Sequence, residues 1–190
     1  MRSVTAVAAA VLVSLVAGGC GSSPGGTHAR ITQCPARALV LRPGTPVVPM
    51  TGEHAVMYAL ANRGPVTCTV RGYPQVVLYG ANGGVLPFHY ATGGGPYVTS
   101  SKPATVVLAH GAFAYVLVAK YRCDVGIARN ATAIQLTLPA APGGVFAQRE
   151  AVGISGSAGL SYCRGGQHDP GQLVTVSPVE PTAQAASSLR

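Results

Sequence analysis

Few residues in this chain could do chemistry, and their spacing argues against most reactions. The 190 residues include five carboxylates: Glu53, Asp124, Glu150, Asp169 and Glu180. None sits close to another in sequence, so no short motif supplies the paired carboxylates of acid–base catalysis. "GISGSAG" (Gly153 to Gly159) sets serines among glycines but lacks the Gly-x-Ser-x-Gly of a nucleophile elbow. "TSSK" has a threonine where Ser-x-x-Lys needs serine. "ATGGGPY" lacks the Gly-Lys-Ser/Thr of a phosphate loop. Met50, His54 and Met57 are soft donors of the kind that hold copper. On a strand, however, His54 and Met57 face opposite ways, which makes Met57 a packing residue. The remaining histidines (His28, His89, His110 and His168) are dispersed, and "GGQHDPG" reads as a turn. No catalytic residue, metal site or cofactor is expected.

The cysteines carry a clearer message. The chain opens "MRSVTAVAAAVLVSLVAGGC", a single positive charge followed by an apolar stretch and small residues. That is the layout of a secretory signal, and it is short for a membrane span. The ending "VAGGC" resembles the lipobox of bacterial lipoproteins, with Ala17 where leucine is usual and Cys20 as the lipidated residue. The expected division is a signal peptide over 1–19, a flexible tether over 20–33, a folded domain over 34–178 and a loose tail over 179–190. The tether sequence "GSSPGGTHARITQ" has too little apolar surface to fold. With Cys20 set aside, four of the five cysteines remain, an even number in an exported domain. Their spacing does not suit zinc, and three pairings are possible. The expected pairing is Cys34 with Cys68 and Cys123 with Cys163.

The formal charge is +8, or +7 once Arg2 leaves with the signal. The basic residues form no run or stripe, and the imbalance comes from a shortage of acids, so nucleic acid is not an expected partner.

These residues need a frame, and the apolar segments supply one. In "EHAVMYALAN", Val56, Tyr58 and Leu60 share one face; in "VTCTVRG", Val66, Cys68 and Val70 do; in "TAIQLTLP", Ile134, Leu136 and Leu138 do. This is the period of half-buried strands. "RALVLR", "QVVLYG", "VLPFHY", "VFAQREAVGI" and "QLVTVSPV" read as further strands, with "ANGG" predicting a hairpin turn between the second and third of these runs. "ATVVLA" and "AFAYVLVAKYRC" read as two buried strands joined at His110-Gly111 rather than as a membrane helix. Gly72, Tyr73 and Pro74 mark a structural corner between strands. Short strands cut by frequent turn signals predict an all-β antiparallel sandwich.

Leu60, Asn62, Gly64, Cys68, Gly72-Tyr73-Pro74, Leu108, Gly111 and either Phe113 or Ala114 together resemble the pattern of the actinobacterial DUF4232 lipoprotein family, a domain of unknown function. His110 stands where proline is common. The resemblance runs from Cys34 to about Pro178. It implies an immunoglobulin-like sandwich in secreted proteins or lipoproteins, and it implies no known activity.

The functional expectation is a lipid-anchored, non-enzymatic module on the extracytoplasmic face of the cell membrane. Its partners would be membrane lipid through Cys20 and an envelope protein, a wall polymer or a small ligand. The expected binding surface is the aromatic, glycine-rich stretch carrying Tyr79, His89, Tyr90 and Tyr97, since aromatic loop residues on a rigid scaffold are a common recognition device. The alternative is an envelope hydrolase or a copper-handling protein whose site assembles only in space.

Overall fold

A computed structural model describes residues 31–47, 52–95, 97–139, 146–151 and 159–188. Cys20, Met50 and the serines of "GISGSAG" lie outside the described residues. The alternating segments become strands. β1 spans Leu39–Leu41, β2 Thr45–Val47, β3 Glu53–Asn62, β4 Cys68–Val70, β5 Gln75–Gly80 and β6 His89–Thr92. β7 spans Val106–Leu108, β8 Phe113–Tyr121, β9 Ile127–Leu138, β10 Phe146–Ala151, β11 Ser161–Cys163 and β12 Leu173–Val176. Among the described residues, one α-helix of a single turn, α1, spans Ala183–Ala186. Among the described residues, no helix is long and apolar enough to cross a membrane.

Three sheets share one core. The largest runs β1-β3-β8-β12-β6, with β2 also on β3; β10, β5 and β11 pair with β9; β4 pairs with β7. Val56, Tyr58 and Leu60 of β3 and Val116 and Val118 of β8 pack against Leu78 of β5 and Ile134 and Leu136 of β9. Apolar side chains alternating inward from opposed sheets are what hold a β-sandwich together. The fold is all-β and immunoglobulin-like, as the strand pattern and the family resemblance lead one to expect. Both disulfides form as paired above: Cys34–Cys68 with Cα atoms 4.9 Å apart and Cys123–Cys163 with 5.2 Å. Each closes a loop of several tens of residues, worth about 4 kcal/mol per bridge if its effect is entropic.

Three local expectations need correction. Val66 is exposed, because β4 begins only at Cys68. The "ANGG" turn forms, with the Gly80 N–H donating to the Gly84 carbonyl at 2.9 Å. Its return strand, however, keeps pairing with β5 only as far as Leu86. Pro87 has no N–H to continue the ladder. The chain crosses instead to the largest sheet, where β6 pairs with β12 in parallel, an exception to the antiparallel pattern. The His110-Gly111 turn joins β7 to β8 as expected, and because β7 pairs with β4 the turn links strands of different sheets.

Over its described residues, 179–188, the tail is also not loose. Val179 and Ala186 are fully buried. Glu180 exchanges two backbone hydrogen bonds with Tyr115, and the Thr182 hydroxyl caps α1 by accepting from the Ala185 N–H at 3.1 Å. Ala186 and Val98 then cover Ala55, Leu117 and Ala119 on the outer face of the largest sheet. With both faces covered, β8 is an almost unbroken apolar run, as buried strands are.

Candidate basic cleft beside a disulfide

The alternation that builds the core carries one charge with it. Ala114, Val116 and Val118 face inward from β8, and the next residue of that phase is Lys120, only 3 % exposed. Lys120 pairs in register with His54 of β3, which places both at one end of the sandwich. After β8 the chain turns through Cys123, whose bridge draws in Cys163 of β11. Here Gly52, His54, Lys120, Arg122, Cys123 and Ile127 help line a half-open cleft of about 420 Å³.

The Lys120 ammonium donates to the Tyr121 carbonyl at 2.6 Å and lies 3.8 Å from each sulfur of the bridge. Burial lowers its pKa to about 8, although Asp169 and Glu53 pull the other way. The same burial lowers the pKa of His54, with Lys120 adding to the effect, so the imidazole favours its neutral form. Glu53 is raised by burial, partly offset by Lys120.

Asp169 sits behind this group and is itself buried. Burial alone would raise its pKa. Backbone N–H groups of Gly171, Val125 and Asp124 donate to its carboxylate at 3.0, 3.3 and 3.1 Å, and together with Lys120 they lower it. Asp169 thus caps the turn at Pro170–Gln172 and holds the loop after Cys123. Gly171 must be glycine, since a Cβ there would lie 2.7 Å from Cys163 Sγ and 2.5 Å from the Arg122 carbonyl oxygen. The donor atoms of Cys123, Cys163 and Asp169 lie within 4.8 Å of one another, a spacing that would suit a metal. The two sulfurs are joined to each other, however, and so offer no thiolate.

The expected aromatic surface does not assemble. Tyr79 and Tyr97 are 7 % and 6 % exposed. The Tyr79 hydroxyl donates to Gln135 Oε1 at 2.6 Å, and Tyr97 lies under the tail, its carbonyl accepting from the Ser188 N–H. Tyr90 is partly exposed, but its hydroxyl accepts from the Leu78 N–H at 3.1 Å and so bridges two sheets. His89 is exposed on β6 and lines a separate depression with His168 and Leu173. Two of the four residues are therefore core, and the other two do not share one face with them. Of the soft donors, His54 and Met57 lie on opposite faces of β3, as expected of a strand. Lys120 and Asp169 had no place among the expected site residues. The signals were available: Lys120 continues the inward phase of β8, and Asp169 precedes Pro-Gly, a helix-cap arrangement.

The fold and the cleft define a disulfide-stapled β-sandwich with a basic site at one end. The chain matches the family model described as "Domain of unknown function (DUF4232)" over residues 34–180, and it belongs to that family. Neither the curated proteins nor the solved structures yield a match.

Proposed function

We propose that the protein is a lipid-anchored, non-enzymatic binding module of the cell envelope, and that its ligand site is the basic cleft rather than the aromatic stretch. One observation carries this reading: Lys120 is a buried ammonium in the wall of a cleft that, among the described residues, no carboxylate lines. A buried charge is costly, and an anionic ligand group would offset that cost. Arg122 at the rim adds a second cation, and neutral His54 adds a hydrogen-bonding group. The ligand is then a carboxylate or phosphate group borne by an envelope polymer, an envelope protein or a small acid. The lipobox-like "VAGGC" supports anchoring through Cys20. Two acyl signals, unlike one, hold a protein stably on a bilayer.

The test uses the full chain in detergent, titrated with citrate and with inorganic phosphate by calorimetry. Saturable binding that weakens at least tenfold in Lys120→Met is the expected result. Binding of equal strength in the variant, or no binding of either anion, would sink the cleft as the site. Anchoring is read separately in cells: Cys20→Ala should lose acyl labelling and membrane retention, and survival of both refutes the lipoprotein reading.

A further inference from the structure

The two disulfides stand in unlike surroundings. Cys34 and Cys68 are each 1 % exposed and belong to the main apolar cluster. Cys123 is part-exposed and lines the cleft, whereas Cys163 is fully buried behind it. The Lys120 ammonium lies 3.8 Å from both Cys123 Sγ and Cys163 Sγ.

We propose that Cys123–Cys163 is a thiol–disulfide exchange site for small thiols entering the cleft, with Lys120 stabilising the thiolate that leaves, while Cys34–Cys68 is an inert staple. The attacking thiolate is directed to Cys123 Sγ, because Cys123 is the part-exposed cysteine that lines the cleft. The S–S bond breaks, a mixed disulfide forms on Cys123, and Cys163 leaves as a thiolate beside the ammonium. A second thiol attacks the sulfur of the bound reagent. Cys123 is released, the two reagent thiols become one disulfide, and two electrons and two protons pass to the protein. A neighbouring cation favours a thiolate and so speeds its departure and stabilises the reduced form. Two charged groups lie next to this sulfur pair: Lys120, with its ammonium 3.8 Å from each sulfur, and Asp169, with a carboxylate oxygen within 4.8 Å of both, while His54 nearby favours its neutral form. The carboxylate of Asp169 accepts from the backbone N–H groups of Asp124, Val125 and Gly171, and Lys120 is the cation within 3.8 Å of both sulfurs.

The proposal does not depend on which anion the cleft binds, and its test is separate from the titrations above, which use oxidised protein. The full chain is equilibrated in graded dithiothreitol redox buffers, quenched with acid, differentially alkylated and mapped by peptide mass spectrometry. Cys123–Cys163 is expected to open with an equilibrium constant at least tenfold more favourable than Cys34–Cys68, equivalent to about 30 mV. Lys120→Met should remove most of that difference without moving Cys34–Cys68, and Lys120→Arg should retain it. The proposal is overturned if the bridges open together, if Cys34–Cys68 opens first, or if Lys120→Met leaves the difference intact. The ranking of the two bridges in the unmodified protein decides the matter even if a variant does not fold.

Discussion

The Asn62 side-chain amide donates to the Leu108 carbonyl at 3.0 Å, so a residue ending β3 in the largest sheet is tied to a residue ending β7 in another. The same amide donates to the Val66 carbonyl at 2.9 Å, and Asn62 Oδ1 accepts from the Gly64 N–H at 2.9 Å. The Gly111 N–H donates to the Asn62 carbonyl at 2.7 Å, and His110 Nδ1 lies 2.9 Å from the Gly64 carbonyl. Leu108, Gly111, Asn62 and Gly64 are among the residues that carry the family resemblance. They form one hydrogen-bonded knot between sheets, which explains the motif as scaffold.

Asn62→Ala should therefore be costly. It leaves buried backbone groups unpaired at a fully buried position, so a loss of about 3 kcal/mol is expected. Urea unfolding with an unchanged slope measures it. A loss below about 1 kcal/mol would mean that the knot does not hold the sheets together.

Lys120 predicts an unusual alkaline trend. Its pKa is about 8 in the folded protein against 10.5 for the free side chain. The unfolded chain binds more protons between those values, so this group lowers stability below about pH 8 and its penalty shrinks as pH rises toward 10.5. The full difference amounts to roughly 3 kcal/mol. Stability should rise between pH 7.5 and about 9.5, and Lys120→Met should flatten that rise. An identical slope in wild type and variant would contradict the assignment.

Asp169 behaves in the opposite sense. Its folded pKa lies below 3.8, so its stabilisation is present above that value and fades as pH falls through the folded pKa. Asp169→Asn should cost about 2 kcal/mol near neutral pH by weakening its charge-assisted hydrogen bonds. The gap from wild type should close below about pH 4. Thermal unfolding across pH checks this, and a gap constant in pH would refute an ionised Asp169.

The docked tail is open to a simple test. Ala186→Asp would place a carboxylate against Ala55, Leu117 and Ala119. A loss of about 2–3 kcal/mol is expected from a buried, unpaired polar group. Hydrogen exchange should show backbone amides of residues 180–188 losing protection in this variant. Unchanged protection there would show that the tail is not held by this contact.

Strand phase and cysteine pairing were legible in the chain because both are local or topologically constrained. Period-2 alternation placed Ile134, Leu136 and Leu138 inward, and all three are buried. What alternation does not reveal is whether the other face is covered. Tyr79 and Tyr97 read as surface aromatics only while that face is taken to be open. The tail misled for the same reason: its alanines are too small to signal burial, yet small side chains suit close packing on Ala55 and Ala119. The parallel β6–β12 pair joins segments some eighty residues apart, as its register of His89 with Leu173 shows, and no local pattern marks such a pairing. Gly72-Tyr73-Pro74 proved readable as a corner. Gly72 adopts a φ of 110°, and the Tyr73 hydroxyl donates to the Ser101 carbonyl at 3.0 Å.

The Cys34–Cys68 bridge has a mechanical consequence. Cys34 lies just ahead of β1 in sequence, and its sulfur is bonded to the first residue of β4. Tension arriving along the chain ahead of Cys34 would divide there, part passing by the peptide backbone into β1 and part by the sulfur bond into β4. The first strand could not peel away rung by rung, because its leading end is welded to a second sheet. A domain loaded from that side should resist unzipping and yield only when two sheets shear together.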